Sequence, residues 1–421
     1  MSQTHVIGAG MAGLAAALSL TTAGRAVTLH EAGPAAGGRC RSYFDKGLDL
    51  RIDNGNHLLL SGNRSARAYI AEIGATDRFR HPASAVFPFI DLKTGQRWCV
   101  RPNRGRIPWW ILVESRRVPQ TRLADYLGLA RIAGIRDDTV VADAMRPGSL
   151  FRRLVEPLAI AALNTRSQAA LARLLAEVMR ETLMRGGDAC IPWLPKQGLS
   201  DALVDPAITT LAARGATVRF NSRIAAITIE GGRITALRGP DGVIALKPSD
   251  AVVLAVPAWV AADLLPGLTT PNAFEAILNI HYRFAADPTE PLVSAGFIGL
   301  TSGIAEWVFP KHDHVSVTIS AANSMVDDPA GVLAALVWPN VRDALDLPAD
   351  GKTEMPPFRV VKERRATFAA TAEQEARRPA AQTALAANLA LAGDWTDTGL
   401  PATIEGAIRS GRNAAKLLLS F

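Results

Sequence analysis

A glycine-rich turn near the start of the chain constrains the fold more than any other feature. Residues 4–8 (THVIG) predict a short buried strand, residues 11–23 a helix of small side chains, and residues 26–30 a second strand. Residues 8–13 (GAGMAG) place a G-x-G-x-x-G turn between the first strand and the helix. Such a turn lets a pyrophosphate approach the backbone, and the helix N terminus supplies a positive field for it. We therefore expect a βαβ unit of a parallel sheet that binds a dinucleotide.

An acidic residue follows at the end of the second predicted strand. Glu31 lies 23 residues after Gly8, where a carboxylate would accept hydrogen bonds from the ribose hydroxyls of the dinucleotide. Strand, turn, helix and acid thus occur in the order that such a site requires. The motif does not distinguish NAD from FAD, so the choice of cofactor depends on the rest of the chain.

The composition bounds the class of protein. The 421 residues are 48% hydrophobic, which is enough for two packed cores and predicts two to three domain-sized units. The three cysteines, Cys40, Cys99 and Cys190, lie far apart, so neither disulfides nor a thiolate metal site is expected and we predict no metal centre. The 46 Lys and Arg residues against 39 Asp and Glu residues give a net charge of +7, which favours anionic surfaces without requiring them.

No segment of the sequence predicts a membrane span. The longest apolar runs, residues 8–20 and 251–262, are shorter than the roughly 18 to 20 residues that a spanning helix needs. The N terminus runs directly into the first predicted strand, which leaves no room for a secretory leader. We therefore expect a cytoplasmic location.

The middle of the chain differs in character from its ends. Residues 123–136 and 151–185 predict long helices, whereas residues 266–385 mix alternating strand patterns with proline-rich connections. Residues 389–419 return to a strand, a glycine-containing loop and a helix. We predict an α/β fold in which a Rossmann-like domain is assembled from discontinuous segments around an inserted α+β substrate domain. The predicted boundaries are 1–67, 191–265 and 386–421 for the first domain and 68–190 and 266–385 for the second.

Two further motifs resemble those of the flavin amine oxidase and phytoene desaturase superfamily. Residues 37–39 (GGR) follow Glu31 as in that superfamily's E-x5-G-G-R segment, and residues 391–394 (LAGD) precede a turn and a final helix. The resemblance implies FAD as the cofactor, with Asp394 on the ribityl chain and the N terminus of the final helix directed at the flavin ring, where its dipole would stabilise the reduced anion. The cofactor-binding residues so implied are Gly8, Gly10, Met11, Ala12, Gly13, Glu31, Ala32, Gly38, Arg39, Gly55, Asn56, Ile224, Gly393, Asp394, Thr403 and Ile404.

Residues 53–57 (DNGNH) narrow the family further. Together with residues 161–165 (AALNT), they resemble the hydroxysqualene dehydroxylases of bacterial hopanoid synthesis, which are also called squalene-associated FAD-dependent desaturases. The resemblance implies a hydrophobic isoprenoid substrate, whose allylic hydroxyl is replaced by a hydride from reduced FAD. A second G-x-G-x-x-G turn is missing from the sequence, so we expect an external electron donor and not a stably bound NAD(P)H.

The departure of a hydroxyl group requires a proton donor and groups that hold the oxygen. We take Asp53 and His57 as the catalytic candidates and Asn56, Asn164 and Thr165 as the substrate-binding candidates. The alternative interpretation is structural: asparagines in this segment form turns, and His57 is a hydrogen-bonded histidine of the fold.

A basic segment rich in aromatic residues indicates where the substrate enters. Residues 101–122 hold six arginines and one glutamate around Trp109 and Trp110. Arginines beside indoles and aliphatic side chains suit an anionic membrane surface, so we predict peripheral association with the inner face of the cytoplasmic membrane. The alternative is a solvated loop over a buried tryptophan pair. Nucleic acid is not expected as a partner, because we find no recognised binding fold.

Three other functions remain open from the sequence. A carotenoid or phytoene desaturase would use oxidised FAD to remove a hydride from a polyene. A flavin amine oxidase usually needs an aromatic cage beside the flavin, and among the 4 tyrosines of the chain we find no convincing pair for one. A non-enzymatic flavin-binding membrane or assembly protein would hold FAD that no isoprenoid alcohol reoxidises.

Overall fold

The structure is a computed structural model that describes residues 2–348 and 354–420. The predicted domain boundaries also include Met1, residues 349–353 and Phe421, which lie outside the described residues. The strands are, in chain order, β1 (Gln3–Ile7), β2 (Ala26–His30), β3 (Ser42–Asp45), β4 (Leu50–Asp53), β5 (Leu59–Leu60), β6 (Phe79–Arg80), β7 (Phe87–Asp91), β8 (Gln96–Val100), β9 (Pro192–Pro195), β10 (Thr217–Arg219), β11 (Ala226–Glu230), β12 (Arg233–Gly239), β13 (Gly242–Ala245), β14 (Ala251–Leu254), β15 (Phe274–Tyr282), β16 (Ile298–Thr301), β17 (Trp307–Pro310), β18 (Val315–Ile319), β19 (Phe358–Phe368) and β20 (Leu389–Leu391). The α-helices are α1 (Met11–Thr22), α2 (Arg64–Glu72), α3 (Leu127–Gly134), α4 (Val141–Ala144), α5 (Glu156–Leu163), α6 (Ala172–Glu181), α7 (Asp205–Ala213), α8 (Ala258–Leu264), α9 (Leu292–Ala295), α10 (Ala330–Leu345), α11 (Ala372–Ala376) and α12 (Ile404–Leu419).

A five-stranded parallel sheet forms the dinucleotide fold. Its order is β10-β2-β1-β14-β20, and each neighbouring pair is parallel. Alternate residues of the strands face opposite sides, so Val253 packs with helices α1 and α12, whereas Val252 and Leu254 pack with the antiparallel sheet β11-β12-β13. The chain leaves β1 toward β2 on one side and has β14 on the other, which is the switch point at which α/β sheets bind ligands. The predicted Rossmann-like fold is confirmed.

Local sequence signals located most of these elements correctly. The first strand, the first helix and the second strand are present at 3–7, 11–22 and 26–30. Strands β11 and β12 form a hairpin, in which Gly231 and Gly232 adopt φ angles of 59° and 72° that suit a two-residue turn.

The long helix expected over residues 151–185 is wrong. The structure has a π-helical turn at Phe151–Val155, then α5, then a break, and the chain resumes helix only at α6. The break begins at Asn164, which is left-handed at φ 47°. Its side chain binds distant backbone and side-chain groups, and no helical periodicity reports such contacts.

A seven-stranded sheet forms the second layer of the molecule. Its order is β19-β15-β18-β17-β16-β7-β8, antiparallel except between β16 and β7. On β15, Leu278, Ile280 and Tyr282 pack toward helix α10, and the Tyr282 hydroxyl donates to Ala334 O at 2.7 Å. Asn279 and His281 therefore point to the opposite face, which the candidate site occupies. The exact domain boundaries stay a prediction.

Helix α12 crosses helix α1 at such close range that glycine is required there. A Cβ built on Gly411 would lie 2.0 Å from the carbonyl oxygen of Ala12. Both helices cover the same face of the parallel sheet. The C-terminal helix is thus fixed against the helix that begins at the glycine-rich turn.

We expect Gly411→Val to destabilise the protein by about 1–3 kcal/mol or more, because the new side chain would force the two helix backbones apart. Gly331→Ala is the control, since nothing lies within 4 Å of a Cβ at that exposed helical position, and alanine there should stabilise by about 0.5–1 kcal/mol. Urea unfolding followed by circular dichroism measures both. An unchanged midpoint for Gly411→Val would show that the helices do not cross so closely.

Candidate functional site

The glycine-rich turn leaves space open at one glycine only. A Cβ on Gly8 would lie 2.5 Å from Ala255 O, and one on Gly13 would lie 1.9 Å from Gly8 O, so the packing of the chain itself requires these two glycines. Gly10 differs, because its φ of −75° suits any residue and nothing lies within 4 Å of its Cβ position. Helix α1 begins at this open space without a side-chain cap, which leaves N–H groups of its first turn for a ligand.

Glu31 is held rigidly beside the turn. Its Oε2 accepts a hydrogen bond from Ala9 N at 2.9 Å and its Oε1 accepts one from Gly33 N at 2.8 Å. The backbone oxygen of Glu31 accepts from Ser222 N at 2.8 Å, which brings Ile224 into the same region. Each carboxylate oxygen keeps a second lone pair, so a ribose hydroxyl can still donate to Glu31. Ala32 follows directly in the chain.

The second glycine segment lies along the first, as the resemblance implied. Gly37 N donates to Ala9 O at 2.8 Å, and Gly37 pairs with Gly10 as an isolated parallel bridge. Gly38 has a φ of 57°, and a Cβ there would lie 3.4 Å from Gly10 Cα. Residues 37–39 therefore border the open space at Gly10.

Arg39 joins the two ends of the chain. Its guanidinium donates to Asp394 Oδ1 at 2.7 Å and also to the backbone oxygen of Ala366 on β19. Burial would lower the pKa of Arg39, but Asp394 raises it overall, so the guanidinium stays charged. Asp394 thus lies within reach of the cofactor segments at the N terminus of the chain.

The C-terminal motif is built to hold its helix in place. Gly393 N donates to Ser410 Oγ at 3.0 Å, and a Cβ on Gly393 would clash with the indole of Trp395. Thr403 caps α12, because its hydroxyl accepts from Gly406 N at 3.0 Å, and Ile404 is the first helical residue. The open space at Gly10, the uncapped α1 and the Arg39–Asp394 pair together fit an extended dinucleotide such as FAD.

Asp53 is an ionised residue of the fold, and this argues against its predicted role as proton donor. Its Oδ1 accepts from Ser42 Oγ at 2.6 Å and Leu199 N at 2.9 Å, and its Oδ2 lies 2.6 Å from Lys311 Nζ. Burial would raise the pKa of Asp53, but Lys311 and these hydrogen bonds lower it overall. A carboxylate held in this way has no proton to give at neutral pH.

His57 is also unsuited to donate a proton at neutral pH. Burial lowers the pKa of its imidazole to about 4, and the cations Arg39 and Lys311 oppose the effect of Asp53. The ring is therefore neutral near pH 7. The predicted proton-donor role of His57 has no support from this environment.

Asn56 docks its segment on the polar face of the seven-stranded sheet. Its Nδ2 donates to Ser316 Oγ at 2.7 Å and to Thr318 Oγ1 at 3.0 Å. A Cβ on the neighbouring Gly55 would lie 3.0 Å from Asn279 Nδ2, so the backbone passes close to the sheet there. Asn56 Oδ1 is buried, and no partner for it occurs in the described part of the chain. An unpaired buried acceptor indicates a missing ligand or water.

Asn164 and Thr165 are occupied by the protein itself. Asn164 Oδ1 accepts from Ala321 N at 2.7 Å, and its Nδ2 donates to Thr367 Oγ1 at 2.9 Å. Thr165 Oγ1 accepts from Ala370 N at 2.9 Å. Both side chains therefore brace the loop that ends α5, and this argues against the substrate-binding roles predicted for them.

Several polar residues of the site were missed from the sequence. Strand β18 lies in the region of alternating strand patterns, but that pattern does not mark its polar side chains, Ser316 and Thr318, which contact Asn56. Lys311 and Asn279 gave no motif, because each contacts a partner far away in the chain, and no motif includes His281. His281 is fully buried, and burial lowers its pKa to about 3.

The basic aromatic segment combines exposed and buried side chains. Trp110 is only 2% exposed and packs edge to face on Tyr126, so its predicted place at a membrane surface is wrong. Trp109 is 47% exposed, and Arg116 lies over its ring at 4.7 Å. The two residues line a cavity of about 460 Å³ together with Arg104. Within residues 2–348 and 354–420, no helix is long and apolar enough to cross a membrane.

Comparison with known proteins gives a consistent family. The model of the flavin-containing amine oxidoreductases matches residues 11–286 and 302–419. A hydroxysqualene dehydroxylase of Rhodopseudomonas palustris is 48% identical over 100% of this chain and 99% of its own length. Another, from Sinorhizobium fredii, is 47% identical over 99% of this chain and 98% of its own length. An oxidoreductase from Methanosarcina mazei shares the fold at 17% identity, with a TM-score of 0.73 over 97% of this chain and 98% of that one.

We expect Gly10→Val to fold normally and to lose FAD. Nothing lies within 4 Å of a Cβ at this position, so the added side chain would extend into the space of the pyrophosphate. Flavin absorbance per protein after gel filtration measures retention, and thermal unfolding of the apoproteins measures the fold. Gly13→Val is the control that should damage the apoprotein as well, because of its contact with Gly8 O. Stoichiometric flavin in Gly10→Val would refute the site.

Proposed function

The chain belongs to the hydroxysqualene dehydroxylases among the flavin-containing amine oxidoreductases, and on that premise we propose that it converts hydroxysqualene into squalene. Its cofactor is FAD, and it is an oxidoreductase. The observation that carries the proposal is the position of residues 53–57. This polar segment lies between the cofactor residues and the face of the seven-stranded sheet that bears Ser316 and Thr318 beside Trp307 and Phe309. We place the squalene product in hopanoid biosynthesis.

The face of the seven-stranded sheet suits a long hydrocarbon with one hydroxyl group. Trp307 and Phe309 on β17 are in register with Thr318 and Ser316 on β18, so their side chains share a face with the groups that hold Asn56. The indole and phenyl rings continue into a buried aromatic cluster. The substrate chain would lie along these rings, and its oxygen near the polar end.

The chemistry replaces a C–O bond with a C–H bond. When bound and reduced, FAD supplies the hydride. The protein must protonate the oxygen so that it leaves as water, and it must exclude bulk water from the cation that remains. Asp53 and Lys311 fix the 53–57 segment, and the neutral His57 adds no positive charge beside that cation. An external donor must return electrons to the flavin.

The exposed apolar residues near Trp109 support docking on an anionic membrane. Ile107, Leu112 and Leu127 are 78%, 65% and 72% exposed. Ile107 and Leu112 lie among the arginines of residues 101–122, and Leu127 follows that segment, so apolar insertion and attraction to anionic headgroups would act together. We propose this surface, Ile107 to Leu127, as the contact with the inner face of the cytoplasmic membrane.

We expect chemically reduced enzyme to return to oxidised flavin when mixed anaerobically with hydroxysqualene, with one squalene formed per flavin. The allylic hydroxyl provides a leaving group, so the reaction runs toward reduction of the substrate. Absorbance of the flavin and mass spectrometry of the extract measure it. Oxidised enzyme with phytoene is the comparison: a desaturated product there, and no squalene from hydroxysqualene, would favour the desaturase alternative.

We expect the variant Ile107→Ser, Leu112→Ser to bind anionic liposomes about tenfold more weakly than the parent. Each removed side chain takes apolar area out of the bilayer interface, and Trp110 is left unchanged because it belongs to the core. Val243→Ser, at a position 71% exposed on β13, is the matched control and should bind as the parent does. Equal cosedimentation of all three proteins would contradict the proposed surface.

A further inference from the structure

A carboxyl group that the sequence did not single out lies beside the polar strip of strand β18. Glu306 directly precedes β17, and its Oε2 accepts a hydrogen bond from Ser320 N at 2.9 Å. Ser320 is two residues from Thr318, which is about 7 Å along an extended strand. Thr318 in turn contacts Asn56 at 3.0 Å. The backbone of Glu306 also pairs with this strand, since Glu306 N donates to Thr318 O at 3.2 Å. Glu306 is therefore bound to the strand whose Thr318 side chain contacts Asn56.

The same carboxyl group lies close to the other motif that the resemblance indicated. Ala321, the neighbour of Ser320, is left-handed at φ 47°, and Asn164 fixes it by accepting from its backbone N–H at 2.7 Å. A non-glycine residue rarely adopts this conformation without a reason. The effect of Asn164 is to turn the chain at the end of β18, where Ser320 N meets Glu306.

Two buried polar atoms near strand β18 have no hydrogen-bond partner among residues 2–348 and 354–420. They are Asn56 Oδ1 and Trp307 Nε1, one an acceptor and the other a donor. Trp307 follows Glu306 directly and is in register with Thr318, whose hydroxyl contacts Asn56. The hydroxyl group of an alcohol can donate one hydrogen bond and accept another, so it suits an acceptor such as Asn56 Oδ1 and a donor such as Trp307 Nε1. Buried polar atoms in native proteins are usually paired.

We propose that Glu306 is the acid that protonates the departing hydroxyl of the substrate. This inference rests on the proposed function. The proton of the Glu306 carboxyl moves to the allylic oxygen, the C–O bond breaks, and water leaves with both electrons of that bond. The allylic cation takes the hydride of the reduced cofactor and forms the C–H bond, so one two-electron oxidation of the flavin balances the reduction. A proton from solvent restores Glu306.

The charge state of Glu306 suits this role where those of Asp53 and His57 do not. Burial raises the pKa of Glu306 to about 7, and the hydrogen bonds of Ser320 and the charge of Arg166 lower it by less. Arg166 lies in the loop after α5 and also acts on Glu275 of β15, whose pKa burial raises. Glu306 thus holds its proton below about pH 7 and loses it above. A carboxyl in water is already ionised well below pH 7.

The variant Glu306→Gln tests the proposal, because glutamine can accept the same hydrogen bond from Ser320 N but carries no acidic proton. With FAD content and unfolding midpoint unchanged, we expect the flavin reoxidation rate with hydroxysqualene to fall about 100- to 10,000-fold. In the parent this rate should decline as pH rises above about 7, and in Glu306→Gln it should not follow that profile. Glu306→Asp should recover part of the rate. Glu275→Gln, which changes the other carboxyl near Arg166, should react as the parent does.

A second measurement needs no turnover. Infrared spectra of the oxidised holoenzyme labelled with carbon-13 at glutamate carboxyls should show a protonated carboxyl band at pH 6 that weakens toward pH 8 and is missing from Glu306→Gln. Its absence at pH 6 would overturn the proposal, as would a Glu306→Gln rate within threefold of the parent. So would a large loss in His57→Ala with none in Glu306→Gln. A parent that makes no squalene would instead refute the proposed function, and the infrared band would still report whether Glu306 holds a proton.

Discussion

The buried carboxylate of Asp53 is the interaction on which the geometry of the site depends. It receives hydrogen bonds from Ser42 and Leu199, and it pairs with Lys311, 258 residues away in the chain. Leu199 belongs to the core beneath the parallel sheet, while Lys311 follows a strand of the seven-stranded sheet. One carboxylate thus joins both sheets to the segment between them. Removing one partner of such a buried pair typically lowers the free energy of unfolding by about 3–5 kcal/mol. The Asp53–Lys311 pair therefore holds the two sheets and residues 53–57 firmly together.

The cofactor side of the site was readable from the sequence because its signals are local. Residues 8–13 need glycine where backbone atoms touch, and Gly10 is glycine although the chain does not need it there. A glycine that packing does not require, between two glycines that it does, indicates a ligand at Gly10. The signal at Asp394 is local as well, because this residue precedes a capped helix by only ten residues. The structure adds the Arg39–Asp394 ion pair, but each partner was already placed by its own motif.

The substrate side was predicted poorly because its chemistry depends on contacts between distant segments. The sequence makes Asp53 a candidate acid, but its ion pair with Lys311 keeps it a carboxylate. It makes Asn164 a candidate substrate ligand, but this side chain holds the backbone of Ala321. Trp110 is a core residue in a segment that reads as amphipathic, and only its packing on Tyr126 reveals this. Periodicity and motif spacing carry no information on such pairs, since their members lie in unrelated parts of the sequence.

In the proposed reaction, the charges around residues 53–57 affect how readily an allylic cation forms. A buried carbocation is opposed by any fixed positive charge nearby. Burial keeps His57 and His281 neutral, and Lys311 is compensated by Asp53. A neutral acid is then the best donor, because it enters the reaction without charge and becomes a carboxylate at the moment when the substrate becomes a cation. In the proposed reaction, the pair that results would attract in a medium of low dielectric, so the proton transfer that expels the water would also stabilise the cation that the hydride must reach.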